Sequence, residues 1–248
     1  MVVPTYNEAE NLPILARLVL ALGEDISMLC VDDASPDGTG DLAQGIADTN
    51  PRFHVVHRTG KRGYSAASKE GLLWGLERDY DIVGTMDADL SHDPATLPKL
   101  IAAVAEGADL AIGSRYVEGG ALHVDWNAFR RAVSEMGSRY ARAMVGTETN
   151  DCTSGFRCYR ASTLRQVAFQ GIHSEGYSFL IEMLAALIDH GATVVEVPIV
   201  YEDRQAGRSK ISRRIIFEAL LQTTRVGVSR VLGERHRNRE EYLKATRD

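Results

Sequence analysis

Asp87 and Asp89 stand one residue apart, with Ala88 between them, at the end of the apolar run Ile82-Val83-Gly84-Thr85-Met86. An apolar run of that length before Asp-x-Asp and Asp93-Pro94 predicts a buried strand ending in a turn. On a regular strand, residues two apart share a face, so the two carboxylates can converge on one point. A hard divalent cation with oxygen ligands, Mg²⁺ or Mn²⁺, is the simplest relief of their repulsion. A solvated acidic turn has the same spelling, so the pair gains meaning only from its companions. Glu8 and Asp32-Asp33 follow earlier apolar runs. Arg58-Thr59-Gly60-Lys61-Arg62-Gly63 is a basic, glycine-bearing loop. Arg115, Arg130, Arg204 and Lys210 are cations suited to phosphate, although any one of them alone reads as a surface residue.

These groups need a scaffold. The chain has 248 residues, 44% hydrophobic and 25% charged, which is ordinary for one large α/β domain or two small ones. Its net charge of −6 argues against a general nucleic-acid binder. Three cysteines, Cys30, Cys152 and Cys158, form no metal-ligand spacing, so a reducing compartment is expected. No stretch of about 18 or more uncharged apolar residues occurs, and no membrane-spanning helix is predicted. Met1-Val2-Val3 leads straight into Pro4-Thr5-Tyr6, which implies a very short first strand or a start further upstream.

Strands are predicted at 2–4, 26–31, 53–57 and 82–86, separated by helices over 11–22, from about 41, and over 66–77. This alternation is the sign of a mostly parallel sheet with helical crossovers. Ligands of such sheets sit at the carboxyl ends of the strands. Those ends carry residues 4–8, 32–37, 58–63 and 87–89 in turn: acidic, acidic, basic, acidic. The pattern suggests a nucleotide and metal site. No Walker A loop occurs, and Gly38-Thr39-Gly40 lacks the third glycine of a dinucleotide fingerprint, which leaves a metal to hold a diphosphate. Further on, a helical stripe runs over 126–145, a polar turn over 151–160 leads into a short strand, and a helix covers 178–190. Asp151 reads as a turn or cap residue and His92 as a structural histidine.

The motifs VPTYNEAENL, VDDASPDGT, MDADLSH, GSRYVEGG, TSGFRCYR and VPIVYEDRQAGRSK, in this order, resemble glycosyltransferase family 2. The narrower resemblance is to its polyprenol- or dolichol-phosphate mannose synthases. It covers the chain from Val2 to about Lys210. It implies a single GT-A domain, α/β with a mostly parallel central sheet flanked by helices, over 1–210, followed by an amphipathic helix and basic tail over 211–248. By the same resemblance, Pro4, Tyr6, Glu8, Val31 and Asp33 contact the donor nucleoside. Asp87 and Ala88 contact the nucleotide sugar, and Asp89, with Asp87, holds the metal. Arg115, Arg204 and Lys210 bind diphosphate or acceptor phosphate, and Arg130 and Ser134 bind the acceptor phosphate, with Arg131 able to replace Arg130. Many members carry Gln two residues after the DxD motif. This chain has Ser91 there, which implies a weaker or water-bridged metal ligand.

The implied reaction is inverting transfer of mannose from GDP-mannose to a polyprenyl phosphate. A metal ion neutralises the leaving diphosphate as a Lewis acid. A phosphate monoester, with a second pKa of about 6, is already an anionic nucleophile and needs no general base. Cations must then bring two anions together, so catalysis is mainly positioning and electrostatics. The competing readings are another donor (UDP-glucose or a UDP-amino sugar), a nucleotidyltransferase, or a non-catalytic nucleotide-sugar binding module. The tail, with Ile216, Leu220 and Val231 alternating with Arg214, Glu218, Gln222, Arg225 and Ser229, suits either an anionic membrane surface or packing on the domain or a second subunit. A peripheral place on the cytoplasmic face of a membrane is expected. A membrane-anchoring partner and a homo-oligomer both remain open.

Overall fold

In the computed structural model, residues 1–60, 62–123, 128–202 and 213–231 are described. The sheet is built from β1 (Val2–Thr5), β2 (Met28–Asp32), β3 (Phe53–His57), β4 (Ile82–Thr85), β5 (Leu110–Ser114), β7 (Arg157–Arg160) and β8 (Val194–Pro198), in the order β3-β2-β1-β4-β7-β5-β8. β1 to β4 are parallel, as are β5 and β8, whereas β7 runs antiparallel between β4 and β5. A separate ribbon pairs β6 (Ala121–His123) with β9 (Val200–Glu202).

Alternating residues of the buried strands feed two apolar layers, as the period of two requires. Val2, Leu29 and Val31 face α3 (Tyr64–Leu76), α5 (Ala128–Val145) and α7 (Tyr177–Asp189). Val3, Met28 and Cys30 face α1 (Leu12–Leu20), α2 (Thr39–Ala47) and α4 (Leu97–Ala105). Helix α3 lies so close to the sheet that a methyl at Gly71 would overlap Val2. All three cysteines are buried free thiols.

The chain travels outward from β1 to β3, then α3 carries it back across to β4 on the other side of β1. That reversal opens a crevice at the carboxyl ends of β1 and β4, the place where open α/β sheets bind ligands. Three loops at that edge turn through a left-handed residue other than glycine: Asn7 (φ 61°), Ala34 (φ 54°) and Leu90 (φ 61°). Such backbone costs about 1 kcal/mol per residue and concentrates at functional loops.

The tail helix α8 (Arg213–Val231) packs against α5 and α7. Its buried stripe is Thr223, Val226 and Gly227, with Arg230 paired to Asp189 at 2.7 Å. Leu220, expected on the apolar face, is exposed. Residues 223, 226, 227 and 230 share one helical face, and beside it Thr224 bonds Tyr140 at 2.6 Å.

Candidate active site

β1 and β2 pair with Pro4 opposite Val31 and Thr5 opposite Asp32, so their ends open together. The two following loops are then laced by backbone donors. Asn7 N donates to Ser35 Oγ (3.0 Å), Glu8 N to Thr39 Oγ1 (2.9 Å) and Ala9 N to Asp37 Oδ2 (3.1 Å). Asp32 and Asp37 serve the loop itself. Asp32 accepts from Ser35 N and Oγ, and Asp37 from Thr39 N and Oγ1. Burial works to raise the Asp37 pKa, yet the bonds from Thr39 and Ala9 hold it below the ordinary carboxylate value. Asp33 faces the third loop. It forms a buried ion pair with Arg58, which also reaches Glu70 at 2.8 Å, and it accepts from Gly63 N at 2.7 Å. Arg62 lies over the Tyr6 ring, 5.0 Å from its centroid, and donates to Tyr6 Oη and Ala34 O. The basic loop therefore folds back across the crevice wall.

β4 ends at Thr85, so Asp87 and Asp89 lie beyond the strand, in a bend closed by Leu90. Strand alternation therefore does not align them, and from the bend both carboxylates bear on His92 and Tyr201. Asp89 is 3% exposed, and its Oδ1 accepts from Ser91 N (3.1 Å) and Ser91 Oγ (2.5 Å). Ser91 thus holds the carboxylate that the resemblance makes a metal ligand. His92 is 2% exposed, stacked on Phe156 and edge-on to Tyr201. Burial lowers its pKa against the opposing pull of Asp87 and Asp89, and the neutral ring accepts from Asp87 N at Nδ1, 3.4 Å away. The Tyr201 phenol is pushed up to about 12 by burial and by Asp87. Asp87 and Asp89 offer carboxylate oxygens only, and no group of three His, Cys, Asp or Glu gathers among the described residues. That donor set fits a hard cation, Mg²⁺ or Mn²⁺, whose shell is completed by ligand oxygens and water.

Arg115, just past β5, supplies the fixed positive charge. Its Nε and Nη2 each donate to Asp151 at 2.7 Å, Nη2 also donates to Thr153 at 2.8 Å, and the Arg115 backbone N donates to Asp151 at 3.1 Å. Those bonds leave the two Nη1 hydrogens without a hydrogen-bond partner among the described residues. The guanidinium sits 5.2 Å from the Tyr116 ring centroid and 5.4 Å from that of Tyr201. Burial opposes ionisation of Asp151, but Arg115 outweighs it and holds the carboxyl below its usual range. Glu196 on β8 accepts from Asn150 N, Asn150 Nδ2 and Asp151 N, which anchors the turn. Arg157 on β7 is wholly buried and donates to the carbonyls of Cys152, Ser154 and Leu180, which fixes the same turn from below. Ser134 bonds Tyr116 Oη at 2.8 Å.

Residues 1–168 match the family described as Glycosyl transferase family 2. The chain belongs to that family. The undecaprenyl-phosphate mannosyltransferase of Micrococcus luteus is 48% identical over 229 residues, 92% of this chain and 93% of that one. The dolichol-phosphate mannosyltransferase of Pyrococcus furiosus is 37% identical over 225 residues, 89% of this chain and 61% of that one. Glucosyl-3-phosphoglycerate synthase from Mycobacterium tuberculosis, solved with Mn²⁺ and UDP-glucose, superposes with a TM-score of 0.60 over 88% of this chain and 73% of that one. At 19% identity that likeness shows the shared GT-A fold.

On this family 2 scaffold, the residues expected to meet the donor lie towards the crevice edge: Pro4 and the wholly buried Val31 near the ends of β1 and β2, Tyr6, Glu8 and Asp33 on the loops after them, and Asp87, Ala88 and Asp89 beyond β4. Arg115 reaches the same region, since its charge bears on His92 beside the carboxylates. Arg204, Lys210 and the side chains of Arg130 and Arg131 lie outside the described residues. Two contributors were not legible. Asp151 was read as a turn residue, because its partner Arg115 is 36 positions away. Arg157 carries no local sequence signal for burial, since an arginine within a four-residue strand is ordinarily exposed.

Proposed function

We propose that this glycosyltransferase moves mannose from GDP-mannose to a polyprenyl phosphate, with inversion at the anomeric carbon. The geometric observation that carries the reading is Arg115. It is a buried cation pinned by Asp151 beside the Asp87–Asp89 bend, with its Nη1 hydrogens available to an anion. A carboxylate pair suits a metal-bound diphosphate, and a second fixed cation suits a second phosphate. The 48% identity to an undecaprenyl-phosphate mannosyltransferase over almost all of both chains supports the same acceptor class.

Tyr6, Pro4, Val31, Glu8 and Asp33 form the nucleoside wall, and Asp87 and Ala88 line the diphosphate-sugar. Asp89, aimed by Ser91, and Asp87 would hold Mg²⁺ or Mn²⁺, which supplies Lewis-acid neutralisation of the leaving diphosphate. Arg115 fixes a phosphate through Nη1. Arg204 and Lys210 add charge to the diphosphate or acceptor phosphate, and Arg130 and Ser134 meet the acceptor phosphate. An acceptor phosphate oxygen attacks the anomeric carbon as the bond to the diphosphate breaks, and GDP leaves. Fixed donors in a dry site supply the charge stabilisation. No helix among the described residues is long and apolar enough to cross a membrane. We place the protein peripherally on the cytoplasmic leaflet where the lipid phosphate resides, with α8 held against α5 and α7 of the catalytic domain.

The test is incubation with labelled GDP-mannose, UDP-glucose or UDP-GlcNAc, a polyprenyl phosphate and Mg²⁺ or Mn²⁺. Label is expected in organic-extractable lipid from GDP-mannose alone, and to be lost in Asp89→Ala. Hydrolysis without lipid product, or transfer from a uridine donor only, would overturn the reading.

A further inference from the structure

Tyr64, the first residue of α3, follows directly on the basic loop. Its ring packs edge-on against Phe179 of α7, with centroids 6.4 Å apart. Its hydroxyl is sealed from solvent and has no hydrogen-bond partner in the described structure, and the same is true of Ser68 Oγ one turn later. Buried hydroxyls are nearly always satisfied, so an orphan at a site calls for a reason. The surroundings point to one. A methyl on Gly155 would meet Tyr64 Oη at 2.8 Å and Asp87 Oδ1 at 3.1 Å. The phenol oxygen and the carboxylate therefore flank the same small space above the Gly155 backbone. Gly155 keeps that space open, and it is held from below by Thr85 Oγ1, which donates to Gly155 O at 2.8 Å. Burial, and after it the charge of Asp87, pushes the Tyr64 phenol well above its ordinary range.

We propose that Tyr64 is a positioning residue for Asp87: its hydroxyl donates to the Asp87 carboxylate when the nucleotide sugar is bound, and so sets the angle at which Asp87 meets the donor. The role rests on the glycosyl-transfer reading above. The other polar atom beside the phenol is Ser68 Oγ, which bears on it but is itself without a hydrogen bond of good geometry. The ring is fixed by Phe179 and by its place on α3, so only the carboxylate needs to turn. An O–H···O⁻ bond in a dry site is of the stronger, charge-assisted kind.

The cost of the orphan separates this role from a structural one. Removing an unsatisfied buried hydroxyl while keeping the ring should leave stability equal or higher. Tyr64→Phe is therefore expected to keep or raise its thermal midpoint while its KM for GDP-mannose rises about ten- to a hundred-fold, the worth of a hydrogen bond to a charged group. KM for the polyprenyl phosphate should stay unchanged. In an Asp87→Asn background, Tyr64→Phe should change GDP binding, titrated directly with Mn²⁺ present, by less than about two-fold, because the partner charge is already gone. Wild-type protein that moves no label from GDP-mannose would overturn the functional reading and this role with it. Active wild-type protein with an unchanged donor KM in Tyr64→Phe would overturn this role alone. So would full additivity of the two substitutions, or a variant that loses stability together with affinity for both substrates.

Discussion

Replacing Asp151 by asparagine removes one charge from the centre of the site and almost no volume. The Asp151 side chain is 0% exposed and that of Arg115 8%, so the substitution strands a guanidinium out of water with a neutral partner. Breaking a buried pair from one side costs about 3–5 kcal/mol, because the surviving charge is uncompensated. The upper half of that range is expected, since Asp151 takes three of the donors of Arg115 (Nε, Nη2 and the backbone N) and an amide can satisfy only some of them. Chemical denaturation should show the midpoint falling with little change in slope. Replacing Arg115 by methionine in the same background should recover much of the loss, because it removes the stranded buried charge. The acid limb gives a second readout. The Asp151 pKa is depressed in the fold, so its stabilisation is complete above the unfolded value of about 3.9 and is lost as pH falls through the folded one. Asp151→Asn should flatten that limb. A loss under about 1 kcal/mol, or a double variant as unstable as the sum of its parts, would refute the view that Asp151 exists to hold Arg115.

Ser91→Ala deletes the 2.5 Å bond to Asp89 but spares the one from the backbone. The Mn²⁺ concentration for half-maximal transfer should rise about ten-fold, as losses of partners behind a metal ligand do, and a metal titration checks it. His92 is held neutral by burial, so its contribution to stability is full above its unfolded pKa of about 6.5 and falls as pH drops towards the depressed folded value. Denaturation at pH 8 and at pH 5.5 should show a larger drop for wild type than for His92→Gln. A side chain at Gly227 would meet the Met144 backbone oxygen at 3.1 Å, so Gly227→Val should loosen α8 from α5 at a cost of about 1–3 kcal/mol, read as a lower thermal midpoint.

The first half of the sheet was legible because its signals are local: apolar runs, helical spacing and polar strand ends repeat in order. The candidate site was legible for the same reason wherever a motif sits at a strand end, as at Tyr6, Asp33 and Asp89. Reasoning from strand alternation reached Asp87 and Asp89 through the wrong geometry, since β4 ends at Thr85, two residues before Asp87, and the bend at Leu90 carries the carboxylates. Ser91 looked like a defect in the motif, whereas it holds Asp89. The partnerships of Asp151 with Arg115 and of Asp33 with Arg58 span 36 and 25 positions. Neither is visible to any periodicity. The face of α8 that is buried also escaped, because a stripe of Thr223, Val226 and Gly227 is hardly apolar.

The antiparallel strand β7 bears on how the molecule is made. β4 and β5 do not pair with each other, and each pairs with β7. On a ribosome, β1 to β4 emerge long before residue 157, and β5 has no place in the sheet until β7 arrives between them. The growing chain must carry an unpaired β4 edge over roughly seventy residues of synthesis, and such edges invite aggregation. The strand that closes the edge also brings Arg157, whose bonds to the carbonyls of Cys152 and Ser154 help set the turn that holds Asp151. Closure of that edge is then the first of two steps that order the turn, because Glu196 anchors it only when β8 arrives beside β5. A nascent chain arrested before β7 should be sticky, and release of β7 should cure that fault before release of β8, with Glu196, completes the turn.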